Sequence, residues 1–242
     1  MNAYRASLLW FAPHSEGPVR ALFEEAGLLV VGPNAAGVQV VQAIGAHRDL
    51  VGQYPGVAIE HLPGRIIAPG FVDMHIHYPQ TNVIGSPAEG LLPWLENYTF
   101  PEEKRFVAPD YSAQAATFFV AELLRNGVTT ALTFATSHTE SVNALFTEAQ
   151  AQHMRLITGL CLMDRNAPAD LLNRASPDGS VGATEQSLRD TEALIQRWHD
   201  KDRLGYAITP RFAPTCTEAQ LRGAGDLAKQ YPDVWIQSHV AE

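Results

Sequence analysis

The chain has 242 residues, 17 basic and 26 acidic side chains and a formal charge of −9. Hydrophobic residues make up 46% and charged residues 18%, a balance that excludes a disordered or fibrous chain and supplies apolar mass for a sizeable core. A net acidic chain with no basic run is a poor partner for nucleic acid, and no apolar run approaches the roughly 20 residues that a membrane span requires. The two cysteines, Cys161 and Cys216, are too few and too far apart for a disulfide framework, which points to a reducing compartment. Residues 6–12 form a short apolar stretch after Arg5. Pro13, His14 and Ser15 follow it without a small-x-small cleavage pattern, so the stretch reads as a first strand and the expected location is cytoplasmic.

Residues 1–64 carry short β-like runs, 28–31 and 37–44 among them, separated by Gly and Pro, and read as a small β element. From residue 65 the texture changes. A strand-like run over 66–77 is followed by a long loop, then by a helix over 110–125 that Asn126-Gly127 stops. The order strand then helix recurs: strands at 128–134, 156–163, 206–209 and 234–238, helices at 141–152, 184–199 and 217–230. The last helix opens with a capping box, Thr217-x-x-Gln220. Strands that are apolar on both faces and alternate with helices predict parallel β/α units. Five strands after residue 65 are too few to close an eight-stranded barrel, which leaves either an open sheet or a part of a longer protein.

The segment Pro69-Gly70-Phe71-Val72-Asp73-Met74-His75-Ile76-His77 carries the strongest chemical signal. Alternation along a strand puts Phe71, Asp73, His75 and His77 on one face and leaves Val72, Met74 and Ile76 to pack under helices. Two imidazoles at i and i+2 on a strand end suit one divalent metal, whereas an isolated His-x-His is more often a pair of solvated loop histidines. The Pro-Gly turn and the apolar opposite face favour the metal reading. A second histidine-bearing strand end, Gln237-Ser238-His239-Val240-Ala241-Glu242, could face the same centre, with Glu242 placed to move protons. Arg211-Phe212, after the strand 206–209, offers a planar cation and an aromatic face suited to a flat, oxygen-bearing heterocycle. His14, His47, His61, His138, His153 and His199 show no ligand spacing and read as surface or structural residues.

The Pro-Gly-Phe-Val-Asp-x-His-x-His signature resembles that of the metal-dependent amidohydrolase superfamily. Residues 75–80 (HIHYPQ), 91–106 (LLPWLENYTFPEEKRF), 208–216 (ITPRFAPTC) and 237–242 (QSHVAE) resemble, more narrowly, the guanine deaminase family. The resemblance runs almost continuously over residues 65–242 and more weakly over the first 64. It implies an α/β fold, a (β/α)8 TIM-type barrel incomplete here at about five strands, with residues 1–64 forming part of a small β-sandwich and residues 65–242 the first part of the barrel. It implies Zn2+ held by His75, His77 and His239, with Glu242 carrying protons between a zinc-activated water and the purine ring. Gln80, Arg211 and Phe212 fall at the base-binding positions together with His77, Arg211 reading the ring carbonyl and Phe212 packing on the ring. Trp94 falls in the loop that covers the pocket. The implied substrate is guanine, hydrolysed to xanthine and ammonia, and the implied assembly is a homodimer of the full-length protein. A further histidine and an aspartate that complete the family's metal site are expected beyond residue 242, so residues 1–242 alone are expected to be inactive. Two other readings stand beside this one: an amidohydrolase acting on a different heterocycle, and a non-catalytic binding module.

Overall fold

A computed structural model of the chain describes residues 1–14 and 17–240. It has two compact units, Met1–Pro69 and Gly70–Glu242. In the first, strands β1 (Asn2–His14), β2 (Gly17–Pro33), β3 (Gln39–Ala46) and β4 (Ile59–Ile67) form one sheet in the order β3-β2-β1-β4. β2 pairs antiparallel with both β1 and β3, and β4 adds parallel to β1. Residues 6–12 are the middle of β1. β2 is far longer than the run 28–31, because pairing with β1 carries its N-terminal half, residues 17–24, as well. The turn into β3 is set by Asn34, whose Oδ1 accepts from the backbone N–H groups of Ala36 (2.9 Å) and Val38 (3.0 Å). Ala3, Leu28 and Val30 form the core of this unit.

The second unit is α/β. Strands β5 (Phe71–His77), β6 (Val128–Phe134), β7 (Arg155–Thr158), β8 (Cys161–Leu162), β9 (Leu204–Pro210) and β10 (Trp235–Ile236) are all parallel. Their order is β10-β9-β7-β6-β5, with β8 also on β9. Helices Pro109–Arg125, Thr139–Ala151, Ala183–Trp198 and Glu218–Gln230 connect successive strands. Two of them bury the i, i+3, i+4, i+7 face of an amphipathic helix: Ala116, Phe119, Val120 and Leu123 in one, Val142, Leu145, Phe146 and Ala149 in the other. Pro109 opens the first, and Gly127, at φ +80°, follows its end. β9 is buried at every residue from Leu204 to Pro210 and pairs with β7, β8 and β10.

Several elements depart from the sequence reading. The run 66–77 is two strands, because Ala68-Pro69-Gly70 interrupts it between β4 and β5. The expected long loop after His77 is a succession of helical turns, Tyr78–Val83, Leu91–Trp94, Leu95–Thr99 (π), Phe100–Glu103 and Lys104–Val107. β5 ends the sheet, so Val72 and Met74 are 58% and 65% exposed and are not packed under helices. The capping box at Thr217 is half made. Thr217 Oγ1 accepts from Gln220 N (3.2 Å), but the Gln220 side chain is buried and donates to Asn173 Oδ1 (2.9 Å) and Ser187 Oγ (3.0 Å). Asp164 takes over its part by accepting from Thr217 N (2.6 Å), and the same carboxylate accepts from Thr184 Oγ1 (2.7 Å), tying two helix starts to the end of β8.

The run 156–163 is divided at Gly159, where the chain passes so close to β9 that a Cβ would lie 1.8 Å from the carbonyl oxygen of Ala207. Gly159→Ala is therefore expected to lower stability by about 3 kcal/mol, read as the urea unfolding midpoint. Gly225→Ala, inside the helix Glu218–Gln230 with no atom within 4 Å of the new Cβ, is expected to raise it by about 0.5–1 kcal/mol.

Candidate metal centre and binding pocket

In a parallel β/α sheet the C-terminal strand ends open onto one face, and ligand sites are built there. β5 ends in His77, β9 runs into Arg211 and Phe212, and β10 runs through Gln237 to His239. The ladder continues past β10: Gln237 N donates to Ile208 O (3.1 Å) and His239 N to Arg211 O (3.0 Å). This register brings His239 to the histidines of β5, 162 residues away from His77 in sequence.

One ring nitrogen from each of His75, His77 and His239 lies within 4.8 Å of the others, a set that could hold a metal ion. The Nε2 atoms of His77 and His239 are 3.0 Å apart. The opposite nitrogen of each ring is held: His239 Nδ1 lies 2.8 Å from Arg211 O, and His77 Nδ1 lies 3.0 Å from the Gln80 side-chain amide. An Nδ1–H donated to the Arg211 carbonyl leaves the Nε2 lone pair of His239 turned toward the cluster, the usual tautomer arrangement of a metal-ligating histidine. Burial, with further contributions from the positive charge of Arg211 and from the neighbouring imidazoles, depresses the His77 pKa to about 2, so the ring stays neutral and able to ligate. Burial pushes the Cys161 thiol in the opposite sense, up to about 12, and so keeps it out of thiolate chemistry. The donor set fits a divalent metal that accepts nitrogen ligands. Asp73, on the same strand face, accepts from the backbone N–H of His75 (3.0 Å) and is not in the cluster.

Beneath the imidazoles lies Phe134, the last residue of β6 and the register partner of His77. Its ring stacks on His77 at 4.7 Å and 6° and lies 4.3 Å from the ring of His239. Lower still is a polar layer. The Gln237 side-chain amide donates to Thr133 O (3.1 Å) and Thr209 Oγ1 (3.0 Å), and Thr158 Oγ1 donates to Thr133 O (2.7 Å).

Above the histidines opens a cavity of about 480 Å³. His75, His77, His239, Gln80, Arg211 and Phe212 line it, and Trp94 and Leu95 contribute from the helical segment that follows β5. The structure thus gathers every proposed site residue except Glu242, which lies outside the described residues. Arg211 is buried, and its guanidinium is gripped by a residue that sequence reading passed over. Nη1 lies 2.6 Å from Glu103 Oε2 and Nη2 lies 3.1 Å from Glu103 Oε1. The signal for Glu103 was available in its segment, where two adjacent acids sit among Phe100, Pro101 and Phe106. For Phe134 the sequence held no signal beyond an apolar strand end.

The parallel β/α sheet with three imidazoles at its C-terminal edge defines the class of scaffold: an α/β domain with a candidate metal centre at its strand ends. Residues 66–242 match the amidohydrolase family, and the chain belongs to it. The chain is 46% identical over 186 residues to guanine deaminase of Escherichia coli (strain K12), an alignment covering 77% of this chain and 40% of that protein. The solved E. coli guanine deaminase superposes with a TM-score of 0.88 at 40% identity, covering 100% of this chain and 54% of that one. Guanine deaminase from C. acetobutylicum, solved with guanine bound in its active site, superposes with a TM-score of 0.84 at 30% identity over 100% and 53% of the two chains. The chain thus spans about half the length of the relatives it matches.

A three-nitrogen cluster predicts that each histidine is required for metal binding. His75→Ala, His77→Ala and His239→Ala are each expected to lose bound divalent metal, measured by plasma emission spectrometry after gel filtration. Retention of full occupancy in all three variants would show that the cluster is not a metal centre.

Proposed function

We propose that the protein is a zinc-dependent guanine deaminase that hydrolyses guanine to xanthine and ammonia. The observation that carries this reading is the pocket. Three imidazole nitrogens converge at the foot of a cavity whose wall holds a guanidinium, a carboxamide and an aromatic ring, the set needed to bind a flat heterocycle with polar edges. The similarity to guanine deaminases, one of them solved with the base bound, supports the same substrate.

In this reading His75, His77 and His239 hold the zinc. When bound, zinc lowers the pKa of a coordinated water to about 7 and so supplies a nucleophile near neutral pH. Arg211 donates to the ring carbonyl, a contact whose planar fork a lysine could not reproduce. Gln80 offers both a donor and an acceptor to the base edge, Phe212 packs on the ring face, and Trp94 limits entry of water from above. His77, stacked on Phe134, contributes a wall of the base site as well as a ligand nitrogen. Glu242, three residues after His239, would pass one proton of the attacking water to the ring nitrogen as the C2–O bond forms, and then pass the second, from the new hydroxyl, to the amine as the C2–N bond breaks. One water is consumed, and one ammonia leaves from C2. The reading also carries a cytoplasmic location and a homodimer. Among the described residues, no helix is long and apolar enough to cross a membrane.

The test is ammonia release by the intact, zinc-loaded protein from guanine beside adenine, cytosine and a triazine. Turnover of guanine above the others is expected, and preferential turnover of another base would assign a different aminohydrolase. Glu242→Gln separates chemistry from binding. It keeps shape and hydrogen-bonding capacity but cannot shuttle protons, so kcat is expected to fall by about 10²–10⁴-fold while zinc content stays at the wild-type level. Loss of zinc in this variant would make Glu242 a ligand.

A further inference from the structure

The pairing of Arg211 with Glu103 has a geometry that structural stabilisation alone does not require. Glu103 lies in the helical turn Phe100–Glu103, and its side chain is 1% exposed against 7% for Arg211. The two make a bidentate pair with contacts of 2.6 and 3.1 Å. Taking both charges out of water is costly, and the cost is offset only by close contacts of this kind. The turn that carries Glu103 is itself anchored on its other side. Glu102 accepts from Asn82 Nδ2 (2.9 Å), from Arg105 Nη1 (3.0 Å) and from the Tyr111 hydroxyl. Asn82 belongs to the same short turn as Gln80. The Arg211 backbone is held separately, its N–H by Leu162 O (3.1 Å) and its carbonyl by His239. Loss of Glu103 would therefore loosen the side chain of Arg211 and leave its backbone in place.

We propose that Glu103 is a positioning residue for base recognition: it holds the Arg211 guanidinium in the one orientation that faces the pocket, so that the arginine is ordered before the base arrives. This rests on the reading that Arg211 contacts the base. A long, flexible cation that must be frozen on binding weakens affinity, whereas one already clamped adds its hydrogen bonds without that cost. The contribution belongs to binding, because Glu103 is neither in the histidine cluster nor among the residues that line the cavity.

The experiment compares kcat, KM and zinc content for guanine in the intact protein across Glu103→Gln, Glu103→Asp, Arg211→Gln and the Glu103→Gln/Arg211→Gln double variant. Glu103→Gln is expected to raise KM about tenfold with kcat within about threefold of wild type and zinc unchanged. Glu103→Asp, which keeps the charge, is expected to recover part of the loss. The double variant is expected to be no worse than Arg211→Gln, since Glu103 acts through the arginine. An unchanged KM in Glu103→Gln beside a raised one in Arg211→Gln overturns the proposal, as does loss of zinc in Glu103→Gln or multiplication of the two effects in the double variant. If Glu103→Gln does not fold, the KM of Glu103→Asp decides, and a wild-type value overturns the proposal. A wild-type KM in Arg211→Gln is the separate failure of the reading that places Arg211 on the base.

Discussion

Arg211 is the point at which the packing of the sheet and the chemistry of the pocket meet. Its side chain is buried against Glu103, its N–H is spent on Leu162 at the end of β8, and its carbonyl takes both the backbone N–H and the Nδ1 of His239. Burying a guanidinium is costly unless opposite charge meets it, and the Glu103 carboxylate, in the turn Phe100–Glu103, meets it at 2.6 and 3.1 Å. Phe100, at the start of that turn, lines the cavity. The same positive charge lies close enough to His77 to help keep its imidazole neutral. A single side chain thus links the turn Phe100–Glu103, the histidine cluster and the cavity wall.

The parallel sheet supplies the other half of the constraint. Every strand end opens onto one face, so chemistry separated by more than 160 residues in sequence is brought together by register alone. The pairing of His77 with Phe134 across β5 and β6 sets the imidazole on an aromatic shelf, and the extension of β10 along β9 carries His239 to it. Below this layer the interior is polar, and Gln237 Nε2 and Thr158 Oγ1 both donate to the carbonyl of Thr133.

What the sequence made legible follows from the range of each cause. Strand alternation and helix periodicity are local, so β6 and the four long helices were readable to within a few residues, and so was the placement of His75 and His77 on one face. The splitting of 156–163 was not, because the cause is the approach of Gly159 to Ala207 on a strand that begins forty-five residues later. The turns between 78 and 107 were read as loop for a different reason. Pro79, Pro93 and Pro101, with Gly85 and Gly90, break any sustained period, and these helices are too short to show an amphipathic face. Val72 and Met74 were misplaced because alternation states which residues share a face and says nothing about whether a neighbour covers it.

Glu103 shows where such reading stops for a functional residue. An acid 108 residues from its arginine leaves no spacing to recognise, and Glu102 beside it would have served equally well on charge grounds. The distinction between them is made by a helical turn of four residues. Adjacent positions on a turn point about 100° apart, so one carboxylate meets Arg211 while the other meets Asn82, Arg105 and Tyr111. A slip of one residue in that turn would exchange the two environments and turn Glu103 away from the pocket wall. The turn itself begins with Phe100-Pro101, directly after the π turn Leu95–Thr99, and proline suits such a first-turn position.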